Sequence, residues 1–253
     1  QLWDPTDGSI KPAFFYQEDA SRTSVTLDPA PGGSIFVVFG PKHLVKMANT
    51  VAFQCFENGL YNLRRPKGQE RQVNIDSLPA PKSVAGPWTV AFDPEWGAPA
   101  QVRFPKLMSW TDHEDEGVKY YSGSGFYTKD VNVPGQWLAS GRRVHLDLGD
   151  VRDVAEVFVN GQSAGILWKA PFRADITACV KPGRNALKIE VMNLWINRLV
   201  GDKRLPAEER FTRTNITSFR NRLSTQESVI QAAGLLGPVR LVPSVLYDTG
   251  SGK

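Results

Sequence analysis

The run Leu194-Trp195-Ile196-Asn197-Arg198-Leu199-Val200-Gly201-Asp202 brings an indole, an amide, a guanidinium and a carboxylate close together in the chain. A second run, Trp168-Lys169-Ala170-Pro171-Phe172-Arg173, joins an indole to two cations. Trp96 and Trp110 stand near further turn-forming stretches. An exposed indole face packs against the C–H groups of a pyranose ring, and planar polar side chains pair with neighbouring hydroxyls. Trp110, Trp168, Arg173, Trp195, Asn197, Arg198 and Asp202 are therefore the candidate carbohydrate contacts. The same residue types also serve in cores and in internal hydrogen bonds, and sequence leaves both readings open.

Catalysis finds less support. Glycoside hydrolysis usually needs two carboxyl groups facing each other across the sugar, with their pKa values pushed apart. The densest acidic stretch, Asp112-His113-Glu114-Asp115-Glu116, is contiguous and precedes Gly117, which reads as a solvated loop. A hydrolase acting on its own would have to use Asp112, Glu114 or Glu116. The three histidines, His43, His113 and His145, are dispersed and form no HExxH pattern. Ser122-Gly123-Ser124-Gly125 lies inside a strand pattern, where small residues allow close backbone approach. No catalytic residue is assigned. Cys55 and Cys179 are far apart and fit no metal spacing, so two free, buried thiols are expected. No calcium-ligand spacing is present, and no cofactor or metal is assigned.

Bulk properties narrow the partners. The net charge is +4 over 253 residues, with Lys and Arg dispersed, which gives no nucleic-acid footprint. No apolar run approaches the roughly 18 residues that span a bilayer. With 41% hydrophobic and 22% charged residues the chain is expected to fold. It opens on Gln1 and reads as part of a longer or processed polypeptide.

The elements that must carry these residues read as strands. Ser24–Leu27 alternates, and Ser34–Phe39 reads as a buried strand. Val51–Phe56, the turn Glu57-Asn58-Gly59 and Leu60–Leu63 read as a hairpin, followed by a turn at Lys67-Gly68 and a strand at Gln72–Ile75. Leu78-Pro79-Ala80-Pro81 is a stiff linker, so a boundary is placed there. Trp88–Phe92, Lys119–Val133, Val144–Leu148, Val157–Val159, Ile166–Trp168, Leu187–Val191 and Val239–Val242 follow, with Asn160-Gly161 as a strong hairpin signal. His145 is the polar member of an alternating strand, facing solvent or a neighbouring strand. The stretch 201–232 is polar, with Lys203, Arg204, Arg210, Arg213, Arg220 and Arg222, and reads as a long loop that is functional, mobile or an interface. Within it Glu227–Ala233 could form a short helix, and Asn215-Ile216-Thr217 fits the N-glycosylation pattern. The expectation is an all-β chain: a small β segment over 1–80, an antiparallel β-sandwich or jelly roll over 81–246 and a tail over 247–253.

Gly86-Pro87-Trp88, Phe92-Asp93-Pro94-Glu95-Trp96-Gly97, Ser109-Trp110 and Lys119-Tyr120-Tyr121-Ser122-Gly123 follow one another in an ordered series. It continues through Leu148-Gly149-Asp150-Val151, Val159-Asn160-Gly161, Gly165-Ile166-Leu167-Trp168 and Pro171–Thr177, and ends with Pro182–Asn185, Asn193–Asp202 and Leu235–Val239. Together these strings resemble the C-terminal region of glycoside hydrolase family 106, the bacterial α-L-rhamnosidases. They are also similar to the sugar-binding jelly-roll domain of family 2 hydrolases. Leu2–Pro5 and Ser34–Phe39 resemble the strands that precede that domain. The resemblance implies a galactose-binding-like β-sandwich, an oligo- or polysaccharide ligand, and an extracellular or periplasmic setting. It also implies a parent enzyme whose catalytic barrel has no counterpart here. The expected function is a non-catalytic carbohydrate-binding or accessory module. The alternatives are a structural scaffold for such an enzyme, or a glycan-active hydrolase.

Overall fold

In the computed structural model, the described residues are 70–213 and 230–248, with the shorter pieces 1–6, 8–11, 13, 16–18, 21–25, 27, 33–39 and 52–64. Contacts divide the chain into two units. One holds Gln1–Phe53, Gly59–Ile75 and Tyr247–Lys253; the other holds Gln54–Asn58 and Asp76–Leu246.

The first unit is built from short strands: β1 (Leu2–Trp3), β2 (Ile10–Lys11), β3 (Tyr16–Glu18), β4 (Thr23–Val25) and β5 (Phe36–Val37). β2, β1 and β5 form one small sheet and β3 pairs with β4. Phe36 and Phe39 are exposed, so Ser34–Phe39 is not the buried strand its run of apolar residues suggests. The 51–63 region also departs from expectation. β6 (Ala52–Cys55) joins a sheet of the second unit, while β7 (Gly59–Arg64) pairs with β8 (Glu70–Ile75). The Glu57-Asn58-Gly59 turn therefore ends β6 without folding it back. Asn58 instead clamps the backbone of Leu78 from both sides, its Nδ2 donating to the carbonyl at 3.0 Å and its Oδ1 accepting from the amide at 2.9 Å.

The second unit is a sandwich of antiparallel sheets. Its strands are β9 (Lys82–Ser83), β10 (Trp88–Ala91), β11 (Gln101–Phe104), β12 (Ser124–Val133), β13 (Arg142–Asp147), β14 (Asp150–Arg152), β15 (Val154–Val159), β16 (Gln162–Leu167), β17 (Arg173–Asp175), β18 (Gly183–Met192), β19 (Gly234–Gly237) and β20 (Arg240–Asp248). One sheet runs β11-β10-β12-β18-β15-β16, and the other runs β17-β13-β20-β6 with β9 alongside β20. Alternation sets the inward faces. Val90, Tyr127, Ile189 and Val157 line up across four strands of the first sheet, all buried. Val144 and Leu146 on β13 and Leu241 on β20 supply the facing core. Asn160 and Gly161, both with positive φ, form the β15–β16 turn as the Asn-Gly pair predicts.

Among the described residues two α-helices interrupt the β pattern: α1 (Glu116–Lys119), where an extended strand over Lys119–Val133 was expected to begin, and α2 (Ile196–Lys203). Residues 230–233 are not helical, and the rest of the helix expected at Glu227–Ala233 lies outside the described residues, as do Asn215-Ile216-Thr217, Arg220 and Arg222. Cys55 and Cys179 form no disulfide; Cys55 is buried, whereas Cys179 is only partly so.

Candidate functional site

Of the seven candidate contacts, four are consumed inside the fold. Trp110 is fully buried, and its indole N–H donates to the Tyr127 hydroxyl at 2.6 Å. Its ring sits where Gly125 leaves space, since a Cβ there would lie 2.5 Å from the ring. It has no face for a ligand, which removes it from the set. The close backbone approach expected of the Ser122–Gly125 string is this contact.

Asn197, Arg198 and Asp202 are buried on α2, which corrects their assignment as ligand groups. Asn197 exchanges two hydrogen bonds with the Gln231 backbone, at 2.7 and 2.8 Å. Asp202 accepts from Arg198 Nε at 2.9 Å, from the amides of Phe211 and Thr212, and from the Thr212 hydroxyl. The Arg198 guanidinium lies 4.5 Å from the Phe211 ring centroid. Burial pulls it below its ordinary pKa, and the Asp202 carboxylate opposes that pull. Every oxygen of Asp202 is thus occupied from within, as a buried charge requires. Ser122 Oγ completes the anchor by donating to the Leu194 carbonyl at 3.0 Å and accepting from the Arg198 amide at 3.1 Å.

Arg173 is partly buried. It holds Asp147 at 2.7 and 3.2 Å and lies 4.7 Å from the Phe56 ring centroid. Trp168 and Trp195 remain, 53% and 61% exposed. Register places them at the same end of the six-stranded sheet. Leu167, before Trp168, pairs with Ala155, and Met192, three residues before Trp195, pairs with Val154. Trp195 meets the Trp96 ring edge-to-face at 5.7 Å, and Lys169 sits 6.0 Å from the Trp168 ring. The clamp on α2 therefore holds the backbone that presents the Trp195 indole to solvent.

The acidic stretch is used for local structure. Asp115 caps α1 by accepting from the Val118 amide at 3.0 Å, His113 Nδ1 accepts from the Asp115 amide, and Glu116 lies 3.5 Å from Arg204. A Ser244–His145–Asp175 grouping comes together: Ser244 Oγ is 3.4 Å from His145 Nδ1 and Asp175 Oδ2 is 4.0 Å from Nε2. Ser244 is fully buried, and Gln54 contacts both its hydroxyl and the imidazole. Asp175 is held by Arg143 and Thr177. No substrate carbonyl could reach that hydroxyl. His145 itself is buried beneath the Phe56 ring, at 5.1 Å. Among the described residues no cluster of His, Cys, Asp and Glu could hold a metal ion.

One feature escaped the sequence reading: a shallow groove on the outer face of the six-stranded sheet, lined by Phe158, Lys188 and Thr128 among others. The outward Phe158 between inward Val157 and Val159 was its available signal.

Comparison with known proteins matches residues 82–216 to the family described as the glycosyl hydrolases family 2 sugar binding domain. A relative named putative beta-glucuronidase, from Formosa agariphila, is 37% identical over 201 residues, covering 72% of this chain and 17% of its own length. The solved structure of a rhamnosidase from Novosphingobium sp. PP1Y superposes with a TM-score of 0.68 at 32% identity, covering 96% of this chain and 20% of its own. The chain thus spans about a fifth of the length of either relative. With the family match running from β9 through the two-sheet core to α2 and beyond, the chain belongs to the sugar binding domain family of family 2 glycosyl hydrolases.

Proposed function

We propose that this chain is a non-catalytic carbohydrate-binding module of a larger glycoside hydrolase, and that its contact edge is the end of the six-stranded sheet bearing Trp168 and Trp195. One observation carries the reading: two large indoles stay exposed while a buried, fully hydrogen-bonded Asn197/Arg198/Asp202 clamp pins the helix after one of them. Burying an ion pair is costly, so a clamp that fixes an exposed indole favours a rigid platform for a sugar face. The names of the two relatives support a parent that acts on glycosides, rhamnosidase-like or otherwise, and an exported, extracellular or periplasmic setting is part of the proposal.

A second reading is favoured by Met192, Leu194 and Ile166, which are also exposed near that edge. Exposed apolar groups gathered at one edge suit a protein contact, in which the edge would seat another domain of the parent. A glycan array probed with the intact chain separates the two. Specific binding that falls at least about tenfold in Trp168→Ala or Trp195→Ala, with the thermal midpoint unchanged, supports the module. Binding to no glycan would overturn it in favour of the scaffold.

A further inference from the structure

We propose that the outer face of the six-stranded sheet carries a second saccharide site, selective for sugars that bear an anionic group. It deepens the saccharide reading of the domain but does not depend on the tryptophan edge.

Register builds the site. Thr89 pairs with Thr128, Thr128 with Lys188 and Lys188 with Phe158, giving one row across β10, β12, β18 and β15. The row faces outward because its neighbours Val90, Tyr127, Ile189 and Val157 face the core. Here lies an open groove of about 610 Å3. Its volume is within the range of small-ligand sites. The Lys188 ammonium rests 4.3 Å from the Phe158 ring centroid and 5.4 Å from that of Phe126. Among the described residues no carboxylate ion-pairs with it. Asp130, the carboxylate of the groove, is taken by Arg184 at 2.6 Å. Glu156, in the adjacent row, accepts from Ser163 at 2.7 Å. Lys129 turns its ammonium to the Pro87 carbonyl at 2.9 Å. The row continues onto β11 at Arg103, opposite Thr89, which adds a second cation.

Lys188 is thus a positioned cation with no ion-pair partner among the described residues, beside an aromatic ring and a hydroxyl; Glu190, two residues along β18, shares its outward face without ion-pairing with it. Thr128 Oγ1 donates to the Thr89 carbonyl at 3.3 Å, leaving its lone pairs to accept from a ligand hydroxyl. A pyranose lying on Phe158 with a carboxylate or sulfate ester toward Lys188 would satisfy all three groups. Uronate and sulfated sugars share that chemistry.

The test uses the 15N-labelled 253-residue chain and three tetrasaccharide probes: one containing glucuronate, its carboxyl-reduced counterpart and a sulfated one. The anionic probes should shift the amides of Thr128, Gly161 and Lys188. The carboxyl-reduced probe should bind about tenfold more weakly. Lys188→Met, which keeps the chain length and the fold-reporting spectrum, should erase that difference. A combined Trp168→Ala/Trp195→Ala variant should retain it. The ratio of glucuronate to sulfate affinity identifies the anion. Equal binding of acid and reduced probes, or an anion preference that survives Lys188→Met, overturns the proposal. Shifts confined to residues around Trp168 and Trp195, or no binding by any of the three probes, would overturn this site; the module reading stands or falls separately, on the glycan array.

Discussion

Tyr127 shows how one buried hydroxyl organises its surroundings. Its oxygen accepts from the Trp110 indole at 2.6 Å and from the Leu235 amide at 3.0 Å, joining β12, the 110–112 turn and β19. Burial pushes its phenol well above the ordinary value, so it stays neutral over the working pH range. Gly234, at φ +92°, brings the backbone so close that a Cβ would lie 2.7 Å from the same oxygen. Tyr127→Phe keeps the ring but leaves two buried donors unpaired, at about 1–3 kcal/mol each, so a loss of about 2–6 kcal/mol is expected in urea unfolding. Trp88→Phe is the control. The Trp88 indole N–H is buried with no hydrogen-bond partner, so its removal discards no bond. Trp88→Phe should therefore cost less than Tyr127→Phe despite deleting more atoms; the reverse order would mean that packing volume outweighs this hydroxyl.

Among elements, those with a two-residue period were legible and those with polar interiors were not. The alternation of Leu187, Ile189 and Val191 with Lys188 and Glu190 reads directly as a strand with one buried face, and β18 has that pattern. The helix α2 does the opposite, burying Asn197, Arg198, Gly201 and Asp202, so a search for apolar periodicity reads it as loop. Its partners, Ser122, Gln231 and Thr212, are scattered along the sequence, and only the fold brings them to it. The same non-locality hid the partner of β6 and the burial of Trp110, which depends on glycines at 125 and 234. Trp168 and Trp195 could be listed as candidates because an aromatic beside turn-forming residues is a local signal; their exposure was not. The α2 clamp makes a further prediction. Asp202→Ala leaves the Arg198 charge and two backbone amides unpaired in a buried place, so a loss of about 3–5 kcal/mol is expected, with amide exchange rising first along 196–203. Arg184→Ala breaks the shorter but exposed pair with Asp130 and should leave the midpoint nearly unchanged. If both variants behave alike, the clamp is not what holds α2.

At the scale of the whole molecule, the second sheet has a titrating group beneath its cover. His145 projects from β13 away from the core, but Gln54 and Phe56 close over it, with Ser244 beside it. Burial lowers its pKa below 6.5, helped by the Arg173 and Arg143 guanidinium groups and opposed by Asp175. The unfolded chain therefore takes up this proton before the folded chain does, and stability rises with pH across that interval. Above about pH 6.5 the contribution is fully present; it is lost as pH falls from there through the folded pKa. Asp175 titrates in a separate window. Its carboxyl is held below 3.8 by Thr177 and Arg143 against the opposing pull of burial, so its contribution is lost only at more acidic pH. Urea midpoints measured from pH 7.5 down to pH 5 should thus fall for the native chain. In His145→Gln, which keeps a polar group under Gln54, the slope over that range should flatten whatever the variant's absolute stability. An unchanged slope would assign the acid sensitivity elsewhere. A flattened one would show that the segment 54–58, which belongs to the larger unit despite lying amid the smaller one in sequence, is fastened through a neutral imidazole.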